Sequence, residues 1–388
     1  MAMMPKTTRL ILAAMAILSV LAGAFILRGR KGMVDFQVNY QAAQRLRAGE
    51  TLYRQEDGHY QFKYPPFSAF LYVPISFLPA DPAKAVWFLL VLSSSILVFY
   101  LSLVLVRPPG RNRWVLCLFT FLILARFFLR EIQLGQINAL ITSLLLFMFT
   151  LLAKNEERPA SASRDVLAGA VWGLSSALKP YTAIFLPFWI LKGKWKTLLA
   201  GVIAGTLAFL GPAIYFGLEG DLLVHREWIH SLSRSTPLLF TTQDNISLIA
   251  LFMKWTGRPA VSRVLYFSSV ALLALLATYL IGRGRKRPRA MVLEAALLLV
   301  YIPLVSPLGW DYTLLSSALA VMVILSQFAS FPRSARVLFV FNAIIMGLSL
   351  YDLMGRSLYA KFMAMSIPTL NALVLIGYLA WLRVKGRA

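Results

Sequence analysis

Charge is scarce in this chain. Only 14% of its 388 residues are charged, while 59% are hydrophobic. A soluble domain runs at roughly 45–50% apolar and about 25% charged residues, so a water-soluble globular enzyme is excluded. Acid is scarcer than base, with 16 acidic against 39 basic side chains and a formal net charge of +23. A disordered nucleic-acid-binding tail would pair high charge with low hydrophobicity, whereas here the two rise together, and that class is excluded as well. There is one cysteine, Cys117, which permits no intrachain disulfide and shows no metal-ligand spacing. Of the three histidines, His225 and His230 lie five apart and make a poor metal pair. No Asp-x-Asp, P-loop or Gly-x-Gly-x-x-Gly pattern occurs, so nothing indicates a soluble nucleotide-sugar site or an ATP-driven pump. No heptad pattern, nucleic-acid module, linker, low-complexity segment or repeat of about 20–50 residues is found. Residues 1–388 therefore read as a single integral-membrane domain.

What is present are long apolar runs. Twelve stretches have the composition of membrane helices, counting slightly short ones: residues 9–27, 84–106, 114–129, 136–153, 165–178, 181–191, 197–217, 262–281, 291–305, 312–330, 335–353 and 366–382. The expected fold class is all-α, a polytopic transmembrane helical bundle of about 12 spans. Residues 66–78 and 245–254 are too short to cross and read as partial or interfacial helices. The first stretch follows Lys6 and Arg9 like a signal peptide, but its length and the Arg28-Gly-Arg-Lys that follows favour an uncleaved anchor.

Basic residues orient the bundle. Over half of the 39 fall in one alternate set of loops and at the termini, among them Arg107, Arg113, Lys154, Lys192, Lys194, Arg283, Arg336 and Arg383. That face is expected to be cytoplasmic, with both termini inside. The opposite face carries most of the acids and the largest extramembrane piece, residues 28–64.

Six polar segments collect on this outer face. They are Asp35-Phe-Gln-Val-Asn-Tyr40, Tyr64-Pro-Pro66, residues 130–138 with Gly-Gln-Ile-Asn at their end, Ala177-Leu-Lys-Pro-Tyr181, residues 243–248, and Ser306-Pro-Leu-Gly-Trp-Asp-Tyr312. Each alone resembles any helix–loop junction; their convergence on one side argues for a site. Asp35 immediately precedes an amphipathic stretch in which Phe36, Tyr40, Ala43 and Leu46 recur at helical spacing. It is a natural N-cap, a role compatible with acting as a general base beside a cavity. Lys179 sits at the outer end of a span, where it either snorkels to the interface or serves a ligand. Arg126 and Arg130 share one helical face, and arginine's planar fork suits a phosphate. Together these three cations are candidates for holding a phosphate at the membrane boundary. Tyr40, Tyr64 and Trp310 belong to an aromatic set that could stack on a sugar or form an interfacial belt. Glu294 is the nearest approach to a charge within a span and reads as interfacial.

Taken in order, Asp-Phe-x-x-x-Tyr, Gly-x-x-Leu-Tyr (Gly49 to Tyr53), Tyr-Pro-Pro, Gly-Gln-x-Asn, Leu-Lys-Pro-Tyr, Asn-x-Ser-Leu and Ser-Pro-x-x-Trp resemble glycosyltransferase family 87. The resemblance implies a GT-C-type fold whose first outer loop carries amphipathic helices. It implies a hexosyltransferase that moves a sugar such as mannose, with inversion, from a polyprenyl-phosphate donor to a hydroxyl of a lipid or glycan acceptor. It maps Asp35 onto the general base, and Lys179, Arg126 and Arg130 onto the donor phosphate. Tyr40, Tyr64, Gln136, Asn138, Tyr181, Asn245, Trp310 and Asp311 become substrate-binding candidates. No metal or other cofactor is expected. The partners implied are donor, acceptor and membrane lipids, with no nucleic acid, and the expected location is the plasma (inner) membrane with the active site on its periplasmic or extracellular face. One departure stands out: Asp311-Tyr312 follows Ser-Pro-x-x-Trp where family mannosyltransferases carry histidine. A transporter or flippase of lipid-linked sugar is the rival reading; broken helices around a midplane site and repeated halves would favour it, and the sequence shows neither symmetry between halves nor charges deep in several spans.

Overall fold

In the first described helix, α1 (Val34–Arg47), the residues spaced for one face, Phe36, Tyr40, Ala43 and Leu46, are all buried. Asp35 is not the N-cap. Met33 holds that position with φ of 61°, and its N–H donates to the Gln133 carbonyl at 2.8 Å. This long-range backbone bond sets where the helix starts and moves Asp35 into its first turn. The structure, a computed structural model, describes residues 31–108, 112–157, 161–283 and 290–386 together with Gly23 and Phe25. The expected first span, 9–27, lies outside the described residues apart from those two, as do the basic residues of 284–289.

After α1 come α2 (Pro66–Tyr72), α3 (Ala80–Val106), α4 (Asn112–Leu134), α5 (Asn138–Glu157) and α6 (Ala162–Leu178). Next are α7 (Leu186–Lys192), α8 (Trp195–Phe209), α9 (Ala213–Ser235), α10 (Leu248–Thr256), α11 (Pro259–Arg283) and α12 (Ala290–Val305). The chain ends with α13 (Ala318–Ser326), α14 (Arg333–Leu348), α15 (Tyr351–Ala364) and α16 (Ile367–Lys385). Among the described residues there is no strand, only an isolated antiparallel bridge between Asn245 and Trp310. The expected all-α class is what the chain forms.

Four described helices are long and apolar enough to cross a membrane, or up to six when two bent pairs each count as one span. The stretches expected at 181–191 and 312–330 split into 3-10 segments followed by the short helices α7 and α13. Those at 197–217 and 335–353 turn sharply, α8 into α9 by 96° and α14 into α15 by 105°. Glycine supplies a further break just inside each second helix, at Gly217 (φ 68°) and Gly355 (φ 69°). The outward faces of α3 and α11 expose Leu89, Ile96, Phe267 and Leu272, an apolar surface with no protein against it, as lipid contact requires.

At the centre stands α12, buried on every side from Ala290 to Leu304, as expected of a helix apolar all round. Elsewhere in the bundle α6 and α8 meet backbone to backbone. Gly169 and Gly173 on one helix face Gly201 and Gly205 on the other, and a Cβ at Gly173 would sit 2.2 Å from the Gly201 carbonyl oxygen. Small residues four apart allow this close packing where lipid offers no hydrophobic drive. Near the N-terminal end of α12, Glu294 is 2% exposed. It pairs with Arg383 of α16 and, at 2.9 Å, with Lys192 of α7. Burial is tolerated because both oxygens face cations.

Candidate active site

The site is built around the turn between α4 and α5. Gly135 takes φ of 69°, and a Cβ there would lie 2.7 Å from that of Phe36, so glycine is required on both counts. The Gly135 carbonyl accepts from Trp87 Nε1 at 2.8 Å, and Gln136 is thereby pressed against the start of α1. Glu131, 0% exposed, anchors the far side of the turn: its carboxylate accepts from Asn138 Nδ2 at 2.9 Å and from the Ala139 N–H at 2.8 Å, capping α5.

Gln136 then gathers four groups. Its Nε2 donates to Asp35 Oδ2 at 2.8 Å and to the Tyr312 hydroxyl at 3.0 Å. Its Oε1 accepts from Lys179 Nζ at 3.2 Å and from the Tyr64 hydroxyl at 3.1 Å. Lys179 also donates to Asn138 Oδ1 at 2.8 Å, and the Tyr181 hydroxyl donates to the same oxygen at 3.1 Å. The ammonium lies 4.8 Å from the centre of the Tyr64 ring and 5.8 Å from that of Tyr181. Lys179 is thus buried, at 7% exposure, and does not snorkel to the interface. Its position follows from Pro180, which ends α6 and starts a 3-10 turn. Five separate sequence segments meet here.

The two arginines join a neighbouring network. Arg126, 5% exposed, pairs with Asp311 Oδ2 at 2.5 Å and donates to the Ser349 and Tyr359 hydroxyls at 2.9 and 2.8 Å. Arg130 pairs with Asp244 at 2.5 Å and approaches Asp311 Oδ1 at 3.4 Å, with 30% of its side chain exposed. Burial pushes the Asp244 carboxyl up against the pull of Arg130. Asp311 is 0% exposed, and its neighbour Tyr312 reaches Gln136, so the two networks touch through consecutive residues. Lys63, before Tyr64, is half-buried; burial pushes its ammonium down and the nearby Asp35 pulls it back.

The other candidates sit differently. The Tyr40 hydroxyl donates to the Leu78 carbonyl at 2.7 Å, holding α1 to the loop before α3. Asn245 is buried and donates to the Leu239 and Pro307 carbonyls, while Trp310 pairs with it through the backbone; both shape the loops that carry Asp244 and Asp311. Sequence reasoning did not single out Ser349 or Tyr359, which approach Arg126 from elements more than 220 residues away and carry no local signal. Among the described residues no group of three or more His, Cys, Asp or Glu gathers as a metal set.

The profile of Glycosyltransferase family 87 matches residues 62–307. The chain belongs to glycosyltransferase family 87. As a family 87 member it is a membrane glycosyltransferase, and most of the network above falls inside the matched segment, with Asp35 before it and Asp311 and Tyr312 just after. No curated protein matches. Two solved structures of ArnT from Cupriavidus metallidurans overlay on 99% of the chain at 13% identity. The apo form gives a TM-score of 0.42 over 78% of its own length, and the form bound to undecaprenyl phosphate 0.43 over 79%.

Proposed function

We propose that this family 87 enzyme is a GT-C-type transferase that moves a hexose from a polyprenyl-phosphate donor to a hydroxyl of a lipid or glycan acceptor, with inversion. The observation that carries the reading is the shared contact of Asp35 and Lys179 with Gln136: a candidate base and a candidate anion-binding cation within one buried polar cluster. Asp35 takes the proton of the acceptor hydroxyl, whose oxygen forms the new bond to the anomeric carbon as the bond from that carbon to the phosphate oxygen breaks. The leaving group is polyprenyl phosphate, and its charge is met by Lys179 and by the half-exposed Arg130. Arg126, enclosed by Asp311, Ser349 and Tyr359, supports the phosphate from behind by holding Asp311 against Arg130.

Tyr64, Tyr181, Asn138 and Tyr312 line the sugar's surroundings in this reading. Asp311 stands where mannosyltransferase relatives carry histidine, so a hexose other than mannose fits the chain as well as mannose does. The chemistry needs no metal, because cations of the chain face the leaving phosphate. In this reading the bundle sits in the plasma (inner) membrane with both termini cytoplasmic and the Asp35 cluster at the periplasmic or extracellular face; what supports it is that Tyr312, which reaches Gln136, follows the end of α12 remote from Glu294. The test incubates purified protein with a panel of polyprenyl-phosphate sugars and membrane lipid extract and identifies products by mass. Transfer by the wild type and its loss in Asp35→Asn are expected. Transfer that persists in a folded Asp35→Asn variant would overturn the assignment of the base.

A further inference from the structure

The α6–α8 interface opens, at the end nearest Lys179, into a cavity of about 390 Å³. Pro65, Phe67, Trp172, Pro180, Phe209 and Trp228 are among the residues of its wall, and no Lys, Arg, Asp or Glu of the described residues lines it. Volume and lining are those of a seat for a small apolar body. Two of its polar groups are committed elsewhere: Ser176 bonds to Thr182 and to the Trp172 carbonyl, and Trp228 Nε1 donates to the Lys63 carbonyl. His225 is different. Its ring stacks on Phe209 with centroids 3.6 Å apart, and its Nδ1 lies 2.8 Å from the Asp221 carbonyl oxygen. A carbonyl only accepts, so Nδ1 carries the hydrogen and Nε2 is left as an acceptor, with no hydrogen bond among the described residues. Behind it Asp221 is 0% exposed, and among the described residues neither of its carboxylate oxygens accepts a hydrogen bond; Oδ1 lies 3.5 Å from Nδ1. The bond from Nδ1 to the backbone carbonyl orients the ring and leaves Nε2 as an acceptor on the cavity's wall.

The cavity also adjoins the polar cluster. Pro65 and Pro180 line it, and their chain neighbours Tyr64 and Lys179 both contact Gln136. We propose that this cavity seats the acceptor, an amphiphile with a neutral polyol head: its chain occupies the apolar cavity, one head-group hydroxyl donates to His225 Nε2, and another passes the Pro65–Pro180 rim toward Asp35. The absence of lining cations separates this seat from that of the anionic donor. The inference rests on the glycosyltransferase reading, of which it names the second substrate.

The test uses the full chain in nanodiscs with two photoreactive probes, a dodecyl maltoside bearing a diazirine in its chain and a diazirine-bearing farnesyl phosphate. The maltoside probe is expected to label Trp172, Phe209 or Trp228 and to resist competition by unlabelled farnesyl phosphate. His225→Phe keeps the stacking but removes the acceptor nitrogen; it is expected to cut that labelling and to raise the acceptor KM about tenfold, leaving the donor KM unchanged. Should His225→Phe misfold, Val202→Trp narrows the cavity from a lining position of α8 whose side chain is exposed, and it too should abolish labelling. Labelling of this wall by the farnesyl phosphate probe, or maltoside labelling unchanged in Val202→Trp, would overturn the proposal. Labelling needs no turnover, so its failure in a chain that transfers sugar defeats only the acceptor seat. Failure of transfer with labelling intact defeats only the transferase reading.

Discussion

A single amide separates Asp35 from Lys179: Gln136 gives its N–H to the carboxylate at 2.8 Å and its carbonyl oxygen to the ammonium at 3.2 Å. Each charge is hydrogen-bonded through a neutral group that reaches both, so neither needs the other as a direct partner. Asp35→Asn preserves an acceptor for Gln136 and therefore the geometry. It is expected to lower kcat by about 100-fold or more, the usual contribution of a positioned base. Thermal inactivation in detergent should match wild type, separating chemistry from folding.

Lys179→Met removes the cation but keeps the stem. A hydrogen bond to a charged group is worth about 1.5–3 kcal/mol, so the KM for donor is expected to rise about 10–100-fold. Titration with a fluorescent polyprenyl phosphate checks it, and unchanged binding would remove Lys179 from the phosphate site.

Asp311→Asn leaves Arg126 buried without the carboxylate it pairs with. Breaking a buried pair costs about 3–5 kcal/mol, and a marked fall in thermal stability is expected. The paired change Arg126→Met with Asp311→Leu should recover much of the loss, because both charges leave together. Stability equal to that of the single variant would mean the pair does more than neutralise itself.

Gly173→Leu forces a side chain into a space where even a Cβ would sit 2.2 Å from the Gly201 carbonyl. Loss of folded protein is expected on size-exclusion chromatography. Val202→Trp, at an exposed position of α8, should stay folded.

Acid should loosen the segment between α1 and α2. The Arg45 guanidinium holds the Asp57 carboxyl below its usual range, with Nη2 donating to Oδ1 at 2.8 Å. A carboxyl depressed in the folded state contributes stability above its unfolded value, roughly pH 4, and loses it as pH falls through the lower folded value. Hydrogen exchange across Gln55–Tyr60 is expected to quicken below about pH 4 in wild type, and Asp57→Asn should show that faster exchange at neutral pH.

Much of this was legible in the sequence where the signal is local. The buried face of α1 follows directly from the spacing of Phe36, Tyr40, Ala43 and Leu46, and the Gly-Gln-x-Asn and Leu-Lys-Pro-Tyr segments announce turns that meet. What local reading misplaces is whatever a distant contact decides. Asp35 looks like a cap, but the bond from Met33 to Gln133 starts the helix two residues earlier. Lys179 looks ready to snorkel, but Asn138 and Gln136 hold it inside. Tyr359 reaches Arg126 across 233 positions, which no motif could reveal. The glycine pairs at 169 and 173 and at 201 and 205 were there to be read as a close helix crossing; turn signals elsewhere drew attention away from them.

The cluster of Lys192, Glu294 and Arg383 has a consequence for how the chain is assembled. Synthesis runs from the N-terminus, so α12 is made after Lys192 of α7 but before Arg383 of α16 exists. During insertion Glu294 has one of its two cations to hand and must wait for the second. The central helix is therefore electrostatically complete only once α16 has entered the bilayer. Release from the insertion machinery before that moment leaves a half-compensated carboxylate at the centre of the bundle.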